Sequence, residues 1–329
     1  MTGVTRLFAS LLMALGLISP AAADSGREPG WHERSIDIGE TTRWYRLYVP
    51  NALEEDAPLV VLLHVGGGSM RQMFFSGTGG EEHWQELAQA EKFLLLTPNG
   101  VSLETGDARG DFQRWADVRG PDSSVFTGAD DVSFVMQLVD QVEKAYGTDP
   151  DRVYLTGGSN GGMMIFRLLI EQPDRFAAAA AFIANMAAES PLVREPAEPT
   201  PLMIMNGTED PVLPFDGGAL SGGRGPILST PETIAWWADA NRADTDKTTT
   251  AMLPDRDPGD GCRIERTLYP ATAEAAPVEA YVMKGGGHTM PSIAHPIPGD
   301  PLLGSMLGRQ CRDAEGAELA WRFLSRYER

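Results

Sequence analysis

The stretch Arg152-Val-Tyr-Leu-Thr-Gly-Gly-Ser159-Asn-Gly-Gly-Met-Met-Ile-Phe166 halts a short apolar run in glycines around one serine, then restarts with helical spacing. Val153, Tyr154 and Leu155 form a β-prone run, and Met163 to Ile170 a mostly apolar helical segment that ends before Pro173. Strand, tight turn and helix in that order, with the spacing Gly157-x-Ser159-x-Gly161, describe a nucleophile elbow. In such a turn the serine sits on strained backbone and small neighbours let strand and helix approach closely. Ser159 is then expected to project its hydroxyl at the carboxyl end of a central strand. In a chain with 36 glycines the five-residue pattern alone is a weak match, and the flanking strand and helix carry the reading.

Outward from the elbow, strand and helix patterns alternate. Pro58-Leu-Val-Val-Leu-Leu-His64 is a continuous apolar run of the kind buried on both faces of a sheet, and Gly66, Gly67 and Gly68 follow it. Residues 81–92 have helical spacing, residues 93–98 return to a strand, and residues 131–146 repeat apolar positions at three- and four-residue steps behind a capping Asp130. Past the elbow come the alanine-rich run 177–184, the apolar run 201–207, a helix opened by Thr230-Pro231, a strand at 278–283 and a closing amphipathic helix over 314–327. Residues 44–50 alternate like an edge strand, residues 100–128 read as a long Gly- and Asp-rich loop, and residues 242–262 as a polar excursion. This alternation predicts an α/β fold, a three-layer sandwich around a mainly parallel sheet, as one catalytic domain over residues 24–329.

Residues 1–23 carry one charge, Arg6, then an apolar run from Leu7 to Ile18, then Ala21-Ala22-Ala23. That is the three-part pattern of a secretory signal peptide, and the apolar run is too short to span a bilayer. The formal charge of −19 moves to −20 once Arg6 is cleaved away, which disfavours nucleic acid and anionic membrane surfaces as partners. The two cysteines, Cys262 and Cys311, are even in number in what would be an oxidising compartment, so one disulfide is expected. No metal site and no cofactor are expected: there are only two cysteines, 49 positions apart, and no nearby histidine pair at ligand spacing.

A serine hydroxyl needs a base to take its proton, and the resulting imidazolium needs a carboxylate. The chain has five histidines, and an order of serine, acid, histidine leaves His288, behind Gly285-Gly286-Gly287, and His295, which lies between prolines and reads as a surface residue. Asp210, in Asn206-Gly-Thr-Glu-Asp210-Pro-Val, follows an apolar strand and is expected at the edge where Ser159 lies; Glu209 and Asp216 are its rivals. For the oxyanion, Asn160 is one expected amide donor, at the start of a helix. The glycine loop supplies the other, from Val65 or Gly66, while His64 reads as structural. Trp115 is a candidate for the substrate groove; Trp236 and Trp237 read as a core anchor and its partly covered neighbour.

Taken together, Leu-Leu-His64 before glycines, Trp115-Ala-Asp117 upstream of Asp130-Asp131-Val132, Asp149-Pro-Asp-Arg152, Gly157-Gly-Ser159-Asn-Gly-Gly-Met-Met, Asn206-Gly-Thr-Glu-Asp210-Pro-Val-Leu-Pro and Gly285-Gly-Gly-His288-Thr-Met-Pro291 resemble the secreted esterases of the polyhydroxybutyrate depolymerase family. These are related to feruloyl and acetylxylan esterases and share the α/β-hydrolase fold. The resemblance spans roughly residues 40–327 and implies Ser159 as nucleophile, Asp210 as acid and His288 as base. Val65 departs from the family's usual glycine, and Met290 stands where tryptophan is common, which makes Met290 a substrate-groove candidate. Arg242 replaces a common cysteine, so the Cys262–Cys311 pairing is not inherited from the family.

The expected function is a secreted serine esterase acting on hydroxyalkanoate polymers or oligomers through an acyl-enzyme. Feruloyl or acetyl esters of plant polysaccharide are the alternative. A peptidase of the same fold ranks lower. A non-catalytic glycan-binding module on a hydrolase scaffold is the alternative of a different class.

Overall fold

The computed structural model describes residues 27–73, 80–297 and 301–329; the signal-peptide reading of residues 1–23 lies outside the described residues. In chain order the structure runs β1 (Gly30–Ile38), β2 (Thr41–Val49), β3 (Leu59–Leu63), α1 (Gly80–Glu91), β4 (Leu94–Pro98), α2 (Asp131–Tyr146), β5 (Val153–Gly158), α3 (Asn160–Glu171), β6 (Ala178–Phe182) and β7 (Leu202–Gly207). A small hairpin follows, β8 (Gly218–Ala219) and β9 (Pro226–Ile227), then α4 (Thr230–Ala240), β10 (Thr249–Met252), β11 (Arg263–Tyr269), β12 (Val278–Lys284), α5 (Pro301–Leu307) and α6 (Gly316–Leu324).

Ten strands form one sheet in the order β1-β2-β4-β3-β5-β6-β7-β12-β11-β10. The six from β4 to β12 are parallel neighbours, and an antiparallel pair closes each side. The strands β3 to β7 are buried at every position and mostly apolar because both faces are covered. Leu59, Val61 and Leu63 of β3 join a core with α2, α3 and α4, while Val60 and Leu62 face the opposite core with Trp84 of α1 and Trp321 of α6. Burying both faces drives the sandwich, at roughly 25 cal/mol for each Å² of apolar surface removed from water.

Local signals fix the helix ends. Asp130 caps α2 by accepting from the Ser133 amide at 3.1 Å, and Gly147 ends that helix in the left-handed conformation at φ 67°. Ser229 and Glu232 form a capping box at the start of α4. Arg43 and Asp131 make a buried ion pair at 2.6 Å, and Asp131 also accepts from the Ala116 amide at 2.7 Å, which anchors the long 100–128 loop to α2.

Both sheet margins differ from the sequence reading. Residues 44–50 are not the edge strand, because β1 pairs outside β2. Its half-exposed, charge-bearing pattern gives only a weak apolar rhythm, and Glu33, Arg34 and Asp37 blunt the open edge. The polar excursion at 242–262 contains β10, the opposite edge strand, whose four residues are all exposed. A strand with no buried face leaves no hydropathy signal. The long 100–128 loop is as expected.

Candidate active site

Strands β5, β7 and β12 are parallel, so the segments leaving their carboxyl ends emerge at one edge of the sheet. Ser159 leaves β5, Asp210 leaves β7 and His288 leaves β12. Their side chains meet there: Ser159 Oγ is 3.0 Å from His288 Nε2, and His288 Nδ1 is 2.6 Å from Asp210 Oδ2. With Nδ1–H donating to the carboxylate, Nε2 is left as acceptor for the serine hydroxyl. The other Asp210 oxygen accepts from the Val212 and Leu213 amides at 2.7 and 2.8 Å, which fixes the carboxylate plane. His288 is fully buried and Asp210 nearly so.

The glycines of the elbow are required by contact. A Cβ on Gly157 would lie 2.6 Å from the Leu63 carbonyl oxygen, one on Gly161 2.6 Å from the His64 carbonyl oxygen, and one on Gly162 2.6 Å from the Ala184 Cβ. Ser159 itself has φ 54° and ψ −122°, a conformation costly for a residue with a side chain. It occupies the N-cap position of α3 yet makes no side-chain cap bond. The strained backbone turns the hydroxyl to His288 instead and leaves the positive end of the helix facing the reaction centre.

The rival acids point elsewhere. Asp216 is exposed, and the exposed Glu209 side chain lies 3.7 Å from Arg309. His295 stacks on His83 at 5.2 Å and sits 3.5 Å from Glu86, away from the serine.

A cleft of about 210 Å³ opens beside Ser159, lined also by Gly66, Arg114, Arg119, Asn160, Met163, Val212, Leu213, Arg224, Met306 and Leu307. Asn160 and Gly66, both expected as oxyanion donors, line this cleft. The Val65 amide is not free for that part, because it donates to the Met73 carbonyl at 2.9 Å and the residue is buried. Gly67 and Gly68 likewise spend their amides, on Gln113 and Val65.

The two substrate-groove candidates are corrected. Trp115 is fully buried, donates from Nε1 to the His64 carbonyl at 3.0 Å and stacks on the His64 ring at 4.7 Å. Met290 is buried against Gly316 at the start of α6. Indole and thioether thus brace the loops behind the site. His64 is structural: Nδ1 pairs with the Val65 carbonyl at 2.8 Å and Nε2 accepts from the Gly100 amide at 3.0 Å. Burial pushes its pKa down to about 4. Trp237 is fully buried and Trp236 half-buried, packed edge to face at 4.8 Å.

Cys262 and Cys311 are joined in a disulfide that ties the start of β11 to the segment before α6. Residues 307–311 in turn run along the histidine loop. The Gly287 and His288 amides donate to the Arg309 and Leu307 carbonyls at 2.7 and 2.5 Å, and the Ser292 amide to Cys311 at 3.1 Å. The sequence reading missed the three cleft arginines; Arg114, Arg119 and Arg224 come from two distant loops and form no motif.

The model for the prolyl oligopeptidase family matches residues 126–190, which include the elbow. The putative esterase NocK from Nocardia uniformis subsp. tsuyamanensis is 32% identical over 86% of this chain and 80% of its own length. Poly(3-hydroxyalkanoate) depolymerase C from Paucimonas lemoignei is 29% identical over 40% of this chain, and the match spans 29% of that protein. An acetyl xylan esterase from Aspergillus awamori superposes with a TM-score of 0.51 at 18% identity, over 80% of this chain and 96% of that one, a likeness of fold. With the elbow in place and the relationship to NocK extending along most of the sequence, the chain belongs to the same family as that esterase, has the α/β-hydrolase fold and is a carboxylic-ester hydrolase.

Proposed function

We propose that the protein is a secreted serine esterase that cleaves hydroxyalkanoate oligomers through an acyl-enzyme formed on Ser159. The observation that carries the reading is the continuous chain from Ser159 Oγ through His288 to Asp210, at 3.0 and 2.6 Å. His288 Nε2 takes the hydroxyl proton as Oγ attacks the ester carbonyl, and Asp210 stabilises the imidazolium. The oxyanion is held by the Asn160 and Gly66 amides at the positive end of α3. His288 then protonates the departing alcohol, and water, deprotonated by the same imidazole, releases the acid. Replacing Ser159 by Ala is expected to lower ester hydrolysis by more than about 10³-fold with the fold intact; residual activity near that of the parent enzyme would refute the assignment.

The lining of the cleft supports short aliphatic esters. Met163, Val212, Leu213, Met306 and Leu307 are its apolar side chains, and among the described residues none of the lining is aromatic. A volume of about 210 Å³ lies below the roughly 300 Å³ where drug-sized pockets begin, which suits one or two small hydroxy-acid units. Export is supported by the signal-like residues 1–23 and by the disulfide, a bond that persists in oxidising compartments. Among the described residues no helix is long and apolar enough to cross a membrane. Rates on a 3-hydroxybutyrate trimer, methyl ferulate and p-nitrophenyl acetate separate the substrate classes: preference for the trimer is expected, and preference for ferulate would replace this reading with a plant-wall esterase.

A further inference from the structure

In a chain with 46 acidic and 27 basic residues, the cleft beside Ser159 is lined, among the described residues, by three arginines and by no carboxylate. Arg119 is neutralised from behind by Asp117, with Nε and Nη2 reaching its two carboxylate oxygens at 2.5 to 3.1 Å. The other two have no such partner. Arg224 donates only to Ser221, and the Arg114 guanidinium, 6.0 Å from the centre of the Phe112 ring, donates no hydrogen bond to any described residue. Arg114 is nevertheless half-buried beside the elbow: its Nη1 lies 2.9 Å from where a Cβ on Gly66 would be.

The placement is held by the backbone. Arg114 exchanges two backbone hydrogen bonds with Val101, at 2.9 and 3.1 Å, and the neighbouring Trp115 amide donates to Asn160 Oδ1 at 2.8 Å. The Arg224 turn is strapped to the same loop system by Ser123 Oγ on the Arg224 carbonyl at 2.8 Å and Ser124 Oγ on Gly222 at 2.7 Å. Burial, together with the charges of Arg119 and Arg224, lowers the Arg114 pKa against the smaller opposing effect of Asp117, so the three guanidinium groups feel one another. Gathering like charges in a half-buried cleft is unfavourable unless an anion completes it, and the planar donor fork of arginine fits a carboxylate.

We infer that this arginine cluster is a carboxylate subsite, so that the preferred substrate is an ester carrying a free carboxylate close to the scissile bond. The inference rests on the esterase reading and sharpens it. A linear hydroxy-acid oligomer has that group at its acid end, whereas a long polymer offers it once per chain. Hydrolysis at the terminal ester consumes one water. It yields one free hydroxy acid, which carries the bound carboxylate, and a shortened oligomer with a new carboxyl group that ionises at neutral pH and releases one proton.

The test compares kcat/KM for a 3-hydroxybutyrate trimer as the free acid and as its methyl ester, with products resolved by chromatography. The purified protein and its Ser159→Ala, Arg114→Gln, Arg114→Lys and Arg224→Gln variants are used. The free acid is expected to be favoured by at least about tenfold at low ionic strength, the order of one charge-assisted contact. Arg114→Gln and Arg224→Gln should each pull that ratio towards one, chiefly through KM, while Arg114→Lys retains more of it and salt shrinks it. Ser159-dependent turnover with a parent ratio near one, or variants that slow both substrates in equal proportion, would overturn the subsite and leave the esterase reading standing. Turnover of neither substrate would overturn both.

Discussion

Asn160 Nδ2 donates to Asp117 Oδ2 at 2.6 Å, so the residue that follows Ser159 in sequence also fastens the loop that carries Arg114 and Arg119. The same side chain exchanges hydrogen bonds with the Trp115 backbone, accepting its amide at 2.8 Å and donating to its carbonyl at 3.1 Å. The side chain of one buried residue next to Ser159 thus fastens the framework of the cleft.

Asn160→Ala should therefore be costly in two ways. It strands the buried Trp115 amide and carbonyl and removes a donor from Asp117, a loss on the order of 2 to 4 kcal/mol by the usual cost of unsatisfied buried groups. Urea unfolding measures the stability change, and kcat should fall because the Asn160 segment and the Trp115 loop lose their shared register. Unchanged stability would show that the side chain bears no load. Asn160→Asp should be at least as damaging, since it sets a carboxylate against Asp117.

Asp210→Asn isolates the role of the carboxylate. The substituted side chain keeps an oxygen for the Val212 and Leu213 amides, which approach at 2.7 and 2.8 Å, so the loop should hold its shape. Its NH₂ then faces His288 Nδ1, favours the wrong imidazole tautomer and leaves Nε2 protonated towards the serine. A loss of about 10³ to 10⁴ in kcat is expected, with thermal stability within a few degrees of the parent. Activity retained above a tenth of the parent rate would mean that Asp210 does not set the tautomer.

The disulfide predicts a link between redox state and the placement of His288. Cys311 leads the segment that pairs with the His288 loop, and a Cβ on Gly286 would lie 3.4 Å from Cys262 Sγ. Closing a loop across 49 positions stabilises the fold by about 4 kcal/mol on the chain-entropy estimate. Reduction, or Cys262→Ser with Cys311→Ser, should lower the urea midpoint accordingly. It should also lower kcat at denaturant concentrations where far-UV circular dichroism is still native. Equal stability and activity after verified reduction would remove the bond from any supporting role.

How much of this was legible in the sequence follows from where each residue's signal lies. The elbow was readable because Gly157, Ser159 and Gly161 answer one local steric problem, the approach of β5 and α3 to β3. His288 and Asp210 were readable because each follows an apolar strand by a few residues. β1 and β10 were not, since exposed edge strands have no buried face to imprint a hydropathy rhythm. Trp115 was misplaced because composition suggested an open loop, whereas Asn160 holds its backbone and the His64 carbonyl and ring hold its indole inside. The arginine cluster has no sequence signature: Arg114 and Arg224 are brought to one cleft by serine contacts between loops about a hundred positions apart.

The pH dependence of stability should carry the imprint of His64. Its ring is fully buried between the Val65 carbonyl and the Gly100 amide, in contact with Trp115, and a proton on Nε2 would break the bond that Gly100 donates. Burial is the main cause of the fall from 6.5 to about 4, with the charge of Arg43 adding to it and the hydrogen bond to the Val65 carbonyl opposing it. Between these values the unfolded chain takes a proton that the folded chain refuses. This contribution is therefore fully present above pH 6.5 and is lost as pH falls towards 4, to a depth of about 3 kcal/mol. Urea unfolding free energies at pH 7.5 and 4.5 should differ in that direction, and His64→Gln, although less stable at pH 7.5, should have a shallower slope by up to one proton. An unchanged slope in a folded His64→Gln protein would assign the acid sensitivity to other groups.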